Sequence, residues 1–155
     1  MSDLPPFDDM LAGRGCPFCG ELPAVNEFWI KIADLSVSSL FLDRNQQHRG
    51  YSVMVFNRRH ANGLEHLTAD EHAAFAADLK KAADAISRTV KPDLMNYASL
   101  GNVIPQLHYH LIPRYKAAPR WGAPVWTSKL EEMQKKYLDE TEYAALIADI
   151  GAALE

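Results

Sequence analysis

Cysteine is almost absent from this chain: only Cys16 and Cys19 occur in 155 residues. Two thiols cannot build the disulfide framework on which small secreted domains rely. No apolar run approaches the roughly 20 residues needed to cross a bilayer. The opening Met-Ser-Asp-Leu-Pro-Pro-Phe-Asp-Asp has neither the basic nor the apolar region of a signal peptide. Positive charge is also scarce, with 16 Lys and Arg against 20 Asp and Glu and a net charge of -4. A polymer of nucleic acid usually demands a basic stripe, which is missing here. These absences lead to the expectation of a cytoplasmic protein without membrane or nucleic-acid partners, in which any anion site must be built locally. No repeat or low-complexity segment is present.

At 48% hydrophobic residues, the chain can bury one sizeable core. Residues 1–15, rich in proline, aspartate and glycine, read as an irregular arm, and residues 16–155 as a single domain. Strands are expected over 25–33, 35–42, 51–56 and 93–100 from alternation and β-branched or aromatic content. Thr68-Ala69-Asp70-Glu71 is a capping box. Behind it Phe75, Leu79, Ala82, Ala83, Ile86 and Val90 recur at helical spacing, and Pro92 closes the run. Two further helices are expected over 127–137 and 141–154. The sum is an α+β fold, with a mainly antiparallel sheet of about five strands, one long helix and C-terminal helices.

The chemistry concentrates in Asn102-Val103-Ile104-Pro105-Gln106-Leu107-His108-Tyr109-His110-Leu111-Ile112-Pro113-Arg114. Gln106 to Ile112 alternate polar and apolar, so a strand places Gln106, His108 and His110 on one face, about 6.5–7 Å apart along it. Pro113 is expected to end that strand. One imidazole can attack phosphorus as a neutral nucleophile while its neighbour, protonated, offsets developing negative charge. A polar sheet face, or a pair of metal ligands, would use the same residues.

Gly101-Asn102 before the strand and Pro113-Arg114 after it complete a pattern that resembles the histidine-triad (HIT) superfamily, from about Cys16 to about Arg120. The family motif is His-x-His-x-His, and here Gln106 stands at its first position, as in a variant associated with bacterial dinucleoside polyphosphate hydrolases. The resemblance implies a nucleotide hydrolase or transferase that cleaves at the α-phosphate through a covalent nucleotidyl-histidine on His108, with His110 and Gln106 touching non-bridging oxygens. It also implies that Asp43 binds the ribose, that Asn102 orients phosphate with Arg114 nearby, that His48 neighbours the site, and that the protein is a homodimer. It further implies that catalysis requires no cofactor. Alternatives are a nucleoside phosphoramidase, and a nucleotide-binding module with little turnover.

Cys16-Pro17-Phe18-Cys19 suits zinc better than redox exchange, because Gly20-Glu21-Leu22-Pro23 supplies neither the strand nor the helix a redox motif wants. Some HIT proteins bind zinc through such a motif and later histidines. The resemblance therefore implies structural zinc on Cys16, Cys19 and His60, with the fourth ligand unassigned. His66 and His72 are expected to face solvent.

Overall fold

The computed structural model describes residues 4–118, 121–126 and 135–155. Five strands, β1 (Trp29–Asp34), β2 (Ser38–Asp43), β3 (Ser52–Phe56), β4 (Leu94–Ala98) and β5 (His108–Arg114), form one antiparallel sheet in the order β1-β2-β3-β5-β4. The helices are α1 (Phe7–Leu11), α2 (Ala69–Val90) and α3 (Glu140–Ala153). None of the described helices is long and apolar enough to cross a membrane.

Alternation along the strands sorts the side chains onto two faces. Leu40, Leu42, Met54, Phe56 and Leu111 lie on one face, where Phe75 and Ile86 of α2 and Leu146 and Ile150 of α3 cover them. Trp29, Phe41, Val53 and Val55 point the other way and form a smaller cluster with Leu22, Phe18 and Tyr51. His108 pairs with Val55 and His110 with Val53, so both histidines stand on this second face, away from the helices.

The capping box at Thr68 and Glu71 is formed as expected, and α2 ends at Lys91, whose φ of 47° is left-handed. A second box, between Asp139 and Glu142, starts α3. Several expected boundaries move. The arm is not wholly irregular: Pro6 precedes one helical turn that buries Met10. Pro113 does not end β5; it pairs with Met95 of β4. Its missing N–H is tolerated because β3 stops at the Ser52–Leu111 pair, two residues earlier. Gln106 precedes the strand instead of opening it, and β4 joins β5 through residues 99–107 rather than a tight turn. The helix expected over 127–137 falls mostly outside the described residues, and 135–137 are not helical.

Asp78 ties α2 to the β1–β2 turn. Its buried carboxylate accepts from the Ser36 amide (3.1 Å), the Val37 amide (2.8 Å) and the Ser38 hydroxyl (2.7 Å). Asp78→Ala takes the acceptor from all three donors, the Ser38 hydroxyl among them buried, and should lower unfolding free energy in urea by about 3 kcal/mol. The exposed Asp84→Ala should leave the midpoint unchanged.

Candidate active site on the open sheet face

The row of expected site residues is held at its start by Gln106. Its side chain is 1% exposed. The amide nitrogen donates to the Phe56 carbonyl (2.8 Å) and the Arg59 carbonyl (3.0 Å), while the amide oxygen accepts from the Ala61 amide (3.1 Å). Both hydrogens of the amide are thus used on the turn after β3, which departs from the expected phosphate contact. Leu107 reinforces the clamp, its carbonyl accepting from Phe56 (3.0 Å) and its amide donating to Ala61 (2.7 Å).

With Gln106 pinned, its own carbonyl lies 2.6 Å from His108 Nδ1. A carbonyl only accepts, so Nδ1 carries the proton and the Nε2 lone pair is left for chemistry. His108 Nε2 makes no hydrogen bond among the described residues. Burial lowers the His108 pKa from its ordinary value, against a smaller opposing effect of the Gln106 carbonyl. The His108 ring is therefore a neutral imidazole.

His110 lies beside it, with ring centroids 5.1 Å apart and planes crossed at 78°. Burial first, and the His108 charge second, push its pKa down to about 4. It is therefore neutral at pH 7 in the free protein, not the protonated partner expected. The Tyr51 hydroxyl lies 2.7 Å from His110 Nδ1. Burial and the neighbouring Asp43 raise the phenol above its ordinary pKa, so it keeps its proton. A phenol donating into Nδ1 leaves Nε2–H as a donor towards the open face. Tyr51 was legible as a strand residue only; its contact with His110 follows from the β3–β5 register.

Asp43 ends β2 next to Tyr51, whose carbonyl accepts from the Asp43 amide (3.0 Å). One carboxylate oxygen accepts from the Asn45 amide (2.7 Å), and the other makes no hydrogen bond among the described residues. Burial raises this carboxyl to about 6. His48 is buried in the same β2–β3 connection, where its carbonyl accepts from the Tyr51 amide (2.8 Å). Asn102 is exposed in the loop before β5 and makes no hydrogen bond among the described residues. Arg114 is 4% exposed. It donates to Asn96 Oδ1 (2.9 Å) and to the Ala123 (3.0 Å) and Trp121 (3.2 Å) carbonyls, so it braces a strap over the sheet.

Two aromatic rings border the histidines. Phe18 meets His108 edge-on at 5.3 Å, and Trp126 meets His110 edge-on at 5.1 Å. Phe18 comes from the loop between the two cysteines. Ligand atoms of Cys16, Cys19 and His60 all lie within 4.8 Å of one another, with Cys19 Sγ 3.1 Å from His60 Nδ1. His60 Nε2 faces the Leu11 carbonyl at 3.2 Å, which fixes Nδ1 as the lone-pair nitrogen, the arrangement typical of a ligating histidine. Burial, with Cys16 adjoining, pushes the Cys19 thiol up to about 12. Such a thiol stays protonated without a cation and is deprotonated by one that binds. The donor set fits zinc.

A family model described as the HIT domain matches residues 30–117. Among solved structures, a histidine triad protein of Bradyrhizobium japonicum is 27% identical with a TM-score of 0.75, covering 83% of this chain and 92% of its own. A HIT protein of Sinorhizobium meliloti shares the fold at 23% identity and a TM-score of 0.72, with 81% and 89% covered. A Zn-bound histidine triad family protein of Mycobacterium smegmatis shares it at 16% identity and 0.55, with 96% and 91% covered. No curated protein matches the chain.

Because burial disfavours both imidazolium forms, protons should bind only below the ordinary imidazole pKa of about 6.5. Titration followed by histidine ring NMR should place His110 near 4 and His108 below its ordinary value. A midpoint at or above the ordinary value for either ring would contradict this placement.

Proposed function

We propose, from the premise that this chain belongs to the HIT family, which includes nucleotide hydrolases and transferases, that it hydrolyses dinucleoside polyphosphates at the α-phosphorus. The observation that carries the reading is the 2.6 Å bond from His108 Nδ1 to the Gln106 carbonyl, which leaves Nε2 as a neutral nucleophile. Nε2 forms a bond to phosphorus as the bond to the departing polyphosphate oxygen breaks, its electron pair leaving with that oxygen. Water then attacks phosphorus, the P–N bond breaks back onto His108, and a nucleoside monophosphate departs. His110 Nε2–H, with Tyr51 behind it, donates to a non-bridging oxygen as charge gathers there. The free oxygen of Asp43 accepts from ribose hydroxyls. Asn102 keeps its phosphate-orienting role on the family resemblance alone, and His48 its place as a neighbour.

Gln106 supports the choice of leaving group. Its amide hydrogens are both engaged, and an amide cannot give up a proton to an amine. A polyphosphate leaves readily as an anion, whereas an amine needs protonation. The phosphoramidase alternative is disfavoured on that ground.

Catalysis in this reading requires no cofactor. Cys16, Cys19 and His60 would hold a structural zinc, with Gln106 Oε1, 3.6 Å from Cys19 Sγ, the adjoining oxygen. When bound, the metal ties the Cys16–Cys19 loop to the turn after β3. The Zn-bound relative of M. smegmatis supports this assignment. A homodimer through β4 fits its position at the sheet edge beside exposed Tyr97, Leu100 and Val103.

Hydrolysis of a dinucleoside tetraphosphate in 18O-water should place the label in the nucleoside monophosphate alone. Label in the triphosphate, or symmetric release of two diphosphates, would exclude attack at the α-phosphorus. Gln106→His should raise the rate on an adenosine phosphoramidate relative to the tetraphosphate, and unchanged relative rates would remove the role given to Gln106. His60→Ala should lower the zinc content of the purified protein; equal zinc in both would rule this site out.

A further inference from the structure

Beside the histidine row, on the β4 side, lies a cavity of about 540 Å3. Small-molecule sites run from about 300 to 1,000 Å3. Leu94, Asn96 and Ile112 line it from the sheet, and Trp121 and Trp126 from the strap. Trp126 is shared with the reactive centre, since its ring is the one that meets His110. The cavity therefore begins where the histidine row ends.

Arg114 holds it open. Its guanidinium reaches across from β5 to Asn96 on β4 and to the carbonyls of Trp121 and Ala123, so it fixes the backbone that carries both tryptophans. Yet Trp121 remains 36% and Trp126 39% exposed. Large aromatic faces beside a cavity, wet but held by a buried cation, are surfaces prepared for a flat ligand.

We propose that this cavity binds the nucleoside of the departing half of a dinucleoside polyphosphate, with its base stacked on the strap tryptophans. The proposal rests on the hydrolase reading, in which the half attacked by His108 lies towards Asp43. The strand order β2-β3-β5-β4 puts β5 between Asp43 and the cavity, so the two halves of the substrate sit on opposite sides of the reactive strand. Arg114 occupies Asn96 Oδ1, and only the Asn96 amino group is left to meet a base. A lone donor suits an acceptor on any base, and stacking is sequence-tolerant, so this subsite selects for a second nucleoside without selecting its base. Arg114 is thus a positioning residue for the leaving half.

Diadenosine tetraphosphate and adenosine 5′-tetraphosphate, whose departing triphosphate does and does not carry a second adenosine, isolate the second nucleoside. In wild type the dinucleoside should have the higher kcat/KM. Trp121→Ala, which spares the Trp121 carbonyl held by Arg114, should cut the ratio of the two kcat/KM values about tenfold, and Trp121→Phe should restore most of it. An unchanged ratio in Trp121→Ala would overturn the assignment while leaving the hydrolase reading intact. If wild type releases monophosphate from neither substrate, the hydrolase reading fails, and adenosine binding decides for the cavity. Equal affinity in wild type and Trp121→Ala would then overturn it too.

Discussion

The side chain of Gln106 decides what its backbone can do. Three hydrogen bonds to Phe56, Arg59 and Ala61 fix the residue, and only a fixed residue can present a carbonyl to His108 Nδ1. The carbonyl dictates the tautomer, and the tautomer dictates which nitrogen can attack. Cys19 Sγ, 3.6 Å from the same amide oxygen, places the thiol cluster against this residue as well. One buried amide thereby joins the turn after β3, the candidate metal ligands and the His108 imidazole.

Around that amide the two imidazoles are largely buried and neutral. Phe18, Trp126 and Tyr51 border the two rings, and burial lowers the pKa of both imidazoles and raises that of the Asp43 carboxyl. In the proposed reaction, negative charge on the phosphate would meet the donors of this face. Donors aimed at that charge act more strongly there than in water. The helices contribute from the far face, where α2 and α3 cover the sheet with an apolar layer.

Much of the architecture was legible because it depends on local periodicity. The α2 capping box, its buried stripe and the shared face of His108 and His110 all follow from spacing within one element. So did the exposure of His66 and His72. The chemistry of Gln106 was not legible: read as a phosphate contact, its amide is turned into the chain by partners about 50 residues away in sequence, and long-range partners leave no local pattern. Tyr51 was missed for a related reason, since its neighbourhood with His110 depends on pairing between strands. Pro113 misled because its ladder position mattered more than its identity. Arg114 was read as a fixed cation beside the phosphate, and the donors described for it hold the strap.

The central claim is that His108 becomes covalently bonded to phosphorus. Intact-protein mass spectrometry after rapid, acid-free quenching of a reaction with a dinucleoside tetraphosphate tests it most directly, run beside His108→Ala under the same conditions. The account predicts a transient mass increase of one nucleotidyl group in wild type that rises and decays within turnover and is absent from His108→Ala. Monophosphate release by His108→Ala at the wild-type rate, with or without an adduct, would contradict it.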